Sequence, residues 1–379
     1  MKTNPFIFHG QFSKNDTNII KGLGILMIMF HNFFHLIAPE TGENEFAFSA
    51  DNFKRFIHLT SSYPLDFIRF TSSYFGHYGV QLFIFISSYG LYLAYRNKNV
   101  RWLNFMKRRI GKLYPTLVLG IGLFMLHVFF QSHQLPDLAD LKSILLKFTL
   151  LYGFIPNEAE TLSGPWWFFS VIVQLYALFP LLLWVLRKTG PNALLVIALS
   201  FIAISMILDL FIKIPGTSVY YTFIGQMPIF SLGLYFAAQP QIKISKSILI
   251  LSIVVFAFGN VNQYVWYFSF VAITLILLAG VILLIPIIRK FKYLSPFLEF
   301  TGSISLFLFV VNGLLRWHLI AMAEKYGNTF LTLSLSFAFI AIVYFVALII
   351  RFLERQIQEF IATGYKIQPL LQKMKTNIY

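Results

Sequence analysis

Ten stretches of this 379-residue chain are apolar enough to cross a bilayer, near 17–37, 75–95, 114–131, 166–186, 193–213, 220–238, 247–260, 264–287, 301–322 and 330–352. Hydrocarbon offers no partner to a backbone N–H or C=O, so such a sequence is confined to spanning structures that satisfy the backbone internally. Apolar runs of helix length point to an all-α, polytopic bundle and not to a barrel. A hydrophobic fraction of 58% with only 12% charged residues puts the whole chain, and not one anchor, outside the soluble range. An eleventh apolar piece, 143–155, is shorter and holds Lys147. If it crossed, the acidic NEAETLSG segment would share a side with the basic loops, so it reads as re-entrant or interfacial.

Ten crossings put both termini in the cytoplasm. The net charge of +15 would suggest nucleic acid in a soluble protein, but here its distribution follows the positive-inside rule, and no nucleic-acid partner is expected. Residues 96–112 carry Arg96, Lys98, Arg101, Lys107, Arg108, Arg109 and Lys112 without an acid and read as cytoplasmic, whereas 38–74 hold Glu40, Glu43, Glu45, Asp51 and Asp66 and read as external. GNVNQY at 259–264 breaks a run too long for one helix and reads as a tight hairpin. The expected division is a membrane domain over 1–353 and a cytoplasmic amphipathic tail over 354–379. The N-terminal residues lack the pattern of a cleaved signal peptide, so the first helix is expected to be retained.

With no cysteine, thiolate nucleophiles, disulfides and cysteine-ligated metals are excluded, and covalent chemistry falls to Ser, His, Lys or a carboxylate. The first span, IKGLGILMIMFHNFFHLI, carries Lys21 near one end and His31 and His35 about 15–20 Å further along. Ionisable groups at that depth are costly and mark function. The two histidines share a helix face, as metal-binding pairs do, but no obvious third ligand inside another span accompanies them, so no metal is expected. An imidazole there can move a proton or carry an acyl group.

Lys21-Gly22 followed by an apolar run to His31 resembles the first-helix signature of the acyltransferase family three membrane proteins. Further resemblances follow in order. The stretch 75–95 is similar to the family's second motif through Gly79, Val80, Leu82, Phe83, Ser88 and Gly90, and 105–117 to its basic stretch through Arg109, Lys112 and Pro115. Residues 164–183 resemble a later helix through Trp167, Phe168, Ser170, Gln174, Tyr176 and Pro180, and 302–316 resembles the late Gly-x-x-Ser helix. Three positions depart from the pattern: the first-helix His is expected at Asn32, a Glu at Ile172, and a late-helix His at Asn312.

The resemblance implies a multi-pass enzyme of the bacterial cytoplasmic membrane that passes an acyl group, usually acetyl from acetyl-CoA, to a hydroxyl of a cell-envelope glycan or lipid-linked sugar. Acetyl-CoA is then the donor substrate, and membrane lipids are the surroundings. On this reading Lys21, Arg108, Arg109 and Lys112 hold the phosphates of the donor. His31 acts as general base or acyl carrier, with Asn32 and His35 beside it, and Asn32, Ser88 or a backbone carbonyl orients the imidazole. Ser88, Trp167, Gln174, Tyr176, Asn312 and Arg316 shape the pocket. A competing class is a proton-coupled transporter or flippase for a lipid-linked sugar, which would use the histidines and Arg316 but leaves the all-basic 96–112 segment unexplained. A non-catalytic sensor would draw on the departures at Ile172 and Asn312.

Overall fold

The computed structural model describes residues 6–376, with side chains described as far as Phe360. It is helical almost throughout. The helices are α1 (Lys14–Phe34), α2 (Ala50–Ser62), α3 (Phe67–Phe75), α4 (Gly79–Tyr95), α5 (Trp102–Ser132), α6 (Leu138–Thr149), α7 (Trp167–Thr189) and α8 (Asn192–Ile207). They continue as α9 (Phe223–Ala237), α10 (Lys246–Gly259), α11 (Gln263–Ile288), α12 (Leu294–Ser303), α13 (Ser305–Asn312), α14 (Trp317–Tyr326) and α15 (Thr329–Thr376). A two-stranded antiparallel ribbon, β1 (Ile7–Phe8) with β2 (Ile242–Lys243), ties the N-terminal segment to the α9–α10 connection.

Among the described residues six helices are long and apolar enough to span, within 14–34, 102–132, 164–189, 192–212, 263–288 and 329–360, or seven if α12 and α13, bent by 68°, count as one. The ten expected spans exceed that number for a physical reason. The stretches near 75–95, 220–238 and 247–260 contain helices of 17, 15 and 14 residues. At 1.5 Å per residue these reach only about 21–26 Å, short of a roughly 30 Å hydrocarbon core. The expected span 301–322 is broken into α12, α13 and α14, an interruption tolerable at membrane depth only where protein surrounds it. At Ile304 and Asn312 the chain is buried, and it is there that the helix axis changes. α6 has 12 residues and is about 18 Å long. α15 continues unbroken past 353, and the amphipathic face expected for the tail lies outside the described side chains.

α1 is the hub. The Ser13 hydroxyl accepts from Asp16 N–H at 3.1 Å, and the Asp16 carboxylate accepts from Ser13 N–H at 2.8 Å, so a reciprocal cap starts the helix. Asp16 also pairs with Arg289 at the end of α11. Of the apolar window in α1, 61% is buried, against 17% for α8, which sets α1 inside the bundle and α8 at its lipid face. Glycines make that centrality possible. A Cβ on Gly79 would stand 2.4 Å from the Gly24 carbonyl, and one on Gly76 would stand 2.7 Å from His31 Cβ. Only there can the turn 76–78 and the start of α4 lie directly on α1, which is what brings His77 beside His31.

The hairpin expected at 259–264 is present, with the Asn262 side chain accepting from Tyr264 and Val265 N–H to start α11. The segment 35–49 is an ordered loop strapped from several sides. Arg69 donates to the carbonyls of Ile37 and Ala38 at 2.7 Å each, Trp266 Nε1 to Asn44 at 2.9 Å, Asn52 to Glu43 at 2.7 Å, and Ser218 to Phe46 at 2.7 Å. A second loop, 156–163, is held by Lys147 of α6, whose ammonium donates to the Glu158 and Ala159 carbonyls at 2.6 and 3.1 Å and sits 3.9 Å from the Tyr152 ring centre. Both loops carry carboxylates inward.

Candidate active site

His31 is buried in α1, and its Nδ1 lies 2.8 Å from the Ser73 carbonyl of α3. A carbonyl can only accept, so the ring proton is on Nδ1 and the lone pair of a neutral imidazole is on Nε2. That nitrogen is 3.2 Å from Glu43 Oε2. A contact between a bare nitrogen and a carboxyl oxygen needs one proton between them, carried either by the acid or by an imidazolium. His31 and Glu43 therefore form a pair sharing one proton, with the Ser73 carbonyl fixing the ring and stabilising its cationic form. Burial raises the Glu43 carboxyl to about 8, helped by the charge of Glu160 and opposed by Arg316. The neighbouring Glu45 is pushed well above the usual carboxylate range, first by burial and then by Glu43.

Around this pair lies a cavity of about 60 Å³ lined by Ile28, His31, Asn32, His35, Glu43, Glu45, Phe46, His77, Val80, Glu160, Trp167, Phe309 and Arg316, among others. His35 stacks on His31 with ring centres 4.5 Å apart and its Nδ1 2.8 Å from the His31 carbonyl. Arg316 donates to the Asn32 carbonyl at 2.8 Å, and the Asn32 amide donates to Asn312 Oδ1 at 2.6 Å. Asn312 in turn donates to the carbonyls of Leu308 and Phe309. Two of the three departures noted in the sequence, Asn32 and Asn312, are thus hydrogen-bonded to each other. Asn32 is no substitute for His31: its amide ties α1 to α13.

A second cavity, of about 230 Å³, adjoins the first. Lys21, Arg109 and Lys112 line it together with Val80, Phe83, Ile172, Tyr176, Leu306 and Phe309. Ile28, Val80 and Phe309 line both cavities. The larger one, called the tube below, has a mostly apolar lining with three cations in it, and it shares its Ile28, Val80 and Phe309 wall with the histidine chamber. Arg109 is positioned by the rings of Tyr95, Phe105 and Tyr176, all 5.3–5.7 Å from its guanidinium. Ile172, the third departure, is part of the apolar wall.

Not every candidate joins these chambers. Arg108, one position before Arg109, is exposed, donates to the Asn104 carbonyl at 3.2 Å and lies outside the tube, because a step of one residue turns a helix by about 100°. Ser88 donates to Phe85 and packs against Gly233 of α9, and its neighbour Ser87 lines the tube instead. Gln174 bonds Ser170 at 2.9 Å and accepts from Phe223 N–H at 2.9 Å, so it joins α7 to the start of α9. The group orienting His31 is the Ser73 carbonyl.

Sequence reasoning missed Glu43, Glu45, Glu160 and His77. Glu43, Glu45 and Glu160 lie in loops, where a search confined to the spans does not look, and His77, within the expected span 75–95, sits in a short turn before α4 with no helical spacing to tie it to His31. The visible signal was the density of acids in 38–74 and 157–164, which had been read only as a marker of sidedness.

On the side away from the tube, Phe46 and Glu160 also line a third cavity, of about 370 Å³, with Asn157, Gly216, Ser218 and Tyr221. Tyr221 donates to Glu160 Oε2 at 2.8 Å, and its ring lies 4.2 Å from that of Phe46. The histidine–glutamate chamber thus shares Ile28, Val80 and Phe309 with the basic apolar tube and Phe46 and Glu160 with the polar, aromatic-edged vestibule.

No curated protein and no solved structure matches the chain significantly. A family model described as an acyltransferase domain matches residues 15–352, which include every residue of the three chambers. The chain therefore belongs to acyltransferase family three and is a membrane acyltransferase.

Proposed function

We propose that the enzyme transfers an acetyl group from acetyl-CoA, entering on the cytoplasmic side, to a hydroxyl of a cell-envelope glycan or lipid-linked sugar presented from the other side. The observation that carries this reading is the shared wall of Ile28, Val80 and Phe309, which joins a cation-lined apolar tube to His31. Lys21 is ten residues before His31, about 15 Å along the helix, a span that suits a long, slender acyl-carrying arm whose anionic end stays with the cations. Lys21, Arg109 and Lys112 then bind the phosphates, Arg109 by its planar fork and the lysines as point charges.

The reactive state is the pair without its shared proton: the acceptor hydroxyl gives its proton to His31 Nε2 as its oxygen attacks the acyl carbon, and the CoA thiolate leaves along the tube and is released as the thiol once that proton is passed on. The Ser73 carbonyl holds the imidazolium that forms, and Glu43 opposes its charge. Arg316, inside the chamber, is the nearest fixed positive charge for the developing oxyanion. The aromatic edge of the vestibule, Phe46, Tyr221 and Trp167, suits the apolar face of a sugar ring, and Glu160 can accept from its hydroxyls.

The orientation follows from charge. Arg187 donates to the carbonyls of Tyr95, Arg96 and Lys98, and Arg289 pairs with Asp16, so these basic groups gather at the end of α1 that holds Lys21. Glu43, Glu45 and Glu160 gather at the other end. α15 begins beside the Ala38–Pro39 turn, far from Lys14, which supports both termini on the basic, cytoplasmic side. The test is mass spectrometry of envelope glycans from cells with and without the gene. Loss of an acetyl increment is expected, and an unchanged glycan profile with intact acetyl-CoA pools would reject the reading.

A further inference from the structure

His77 is the observation that transfer leaves unexplained. It is 1% exposed and lines the histidine chamber, yet the Tyr74 backbone beside the ring makes no hydrogen bond of good geometry to it, and both ring nitrogens are left unsatisfied. A buried imidazole without a partner loses the hydrogen bonds it had in water and gains nothing in return. Its surroundings supply what it lacks. One ligand atom each from His31, Glu45 and His77 lie within 4.8 Å of one another, all three residues being buried. On His31 the available atom is Nε2, because Nδ1–H is committed to the Ser73 carbonyl, and a backbone carbonyl on the far nitrogen is how metal-bound histidines are commonly held. Glu43 Oε2, 3.2 Å from the same nitrogen, falls instead in a second group with His35 that shares only His31 with the first.

We propose that His31, His77 and Glu45 form a site for one transition-metal dication of the zinc type, and that this ion and the transfer reaction compete for His31. The donor set, two imidazole nitrogens with carboxylate oxygens, suits zinc and its first-row neighbours and not magnesium or calcium, which take oxygen ligands throughout. Charge favours it as well. Glu43, Glu45 and Glu160 line the chamber against one guanidinium, that of Arg316, so a dication that displaces the protons burial keeps on Glu43 and Glu45 is met by carboxylates in excess. The vestibule, which shares Phe46 and Glu160 with the chamber, gives the ion a polar route from the acidic side. An ion on Nε2 takes the place of the proton shared with Glu43, which leaves the acceptor hydroxyl no base.

The competition rests on the transfer reading, but the binding does not. The full chain, purified without a polyhistidine tag and stripped with chelator, is titrated with Co2+ while its visible d–d absorption is recorded. A saturating band at one equivalent is expected, displaced by Zn2+ and untouched by excess Mg2+. His77→Ala and the more conservative Glu45→Gln should each weaken Co2+ binding at least tenfold, and Zn2+ should inhibit acetyl transfer with a midpoint equal to its own binding midpoint. Absence of a saturable band, or a band unaltered in both variants, overturns the site. Stoichiometric binding without inhibition in an active preparation overturns the competition. A preparation that binds Co2+ as described but never transfers acetyl keeps the site and removes the transfer reading instead.

Discussion

Glu43→Gln keeps the size of the side chain and its ability to hydrogen-bond His31 while removing the charge that faces the imidazolium. In the folded protein the carboxyl oxygen is 3.2 Å from Nε2. Once His31 has taken the acceptor proton this contact is a charge-assisted hydrogen bond, worth about 1.5–3 kcal/mol in a buried setting. At about 1.4 kcal/mol per decade, its loss should lower kcat about 10–150-fold. The KM for acetyl-CoA should hold, because Lys21, Arg109 and Lys112 lie beyond the Ile28–Val80–Phe309 wall. His31→Ala removes the base itself and should cost about 10²–10⁴-fold. Since Glu43 acts through His31, the double variant should be no slower than His31→Ala alone. Transfer of labelled acetyl from acetyl-CoA to membrane glycan in vesicles measures all three. Near wild-type kcat in Glu43→Gln, or a double variant slowed by the full product of the single effects, would refute the pairing.

Arg109→Ala with Lys112→Ala should raise the KM for acetyl-CoA and leave kcat nearly intact, whereas Arg108→Ala, outside the tube, should match wild type; steady-state kinetics against acetyl-CoA separates them. Burial lowers the Lys147 ammonium to about 7, while the unfolded chain keeps its ordinary, higher value. Between those values the unfolded state holds one proton more, so stability should rise with pH from about 7 to about 9. Lys147→Met should flatten that rise and cost about 1–3 kcal/mol for the unpaired Glu158 and Ala159 carbonyls, as read from thermal unfolding in detergent; parallel pH slopes would show that Lys147 stays charged. Cysteines placed singly at Asn157, Thr189 and Lys290 test the orientation in intact cells with an impermeant thiol reagent. Asn157 should label directly and the other two only after permeabilisation; external labelling of Thr189 would mean that the α6 region crosses.

The sequence was informative where one helix face settled the matter. Lys21, His31 and His35 are placed by helical spacing alone, and the GNVNQY break needed only its turn residues. It was less informative about length: 247–260 is apolar nearly throughout yet gives a helix of only 14 residues, and in 75–95 the first four residues end α3 and form a turn instead of lengthening α4. The acids were the largest omission. Glu43 reaches His31 through a loop strapped by Arg69, Asn52, Trp266 and Ser218, contacts separated by up to 222 residues, and no local pattern encodes such a closure. The pairing of Asn32 with Asn312 was similarly hidden across 280 residues, although each had stood out separately as a departure.

The wall formed by Ile28, Val80 and Phe309 has a consequence for the cell as well as for the substrate. In the orientation proposed above, a tube reached from one compartment and a vestibule reached from the other, meeting at a chamber with titratable groups, would also be a pathway along which protons and ions run down the membrane potential. Between turnovers the seal against that leak is the apolar neck, which excludes water by the same dewetting that closes hydrophobic constrictions in channels. On the transfer route proposed above, the acyl arm parts these side chains to reach His31 and so fills the opening it makes. Their bulk then meets two demands at once, passage of a slender thioester and insulation of an energised membrane, and a smaller side chain there would relax the first while sacrificing the second.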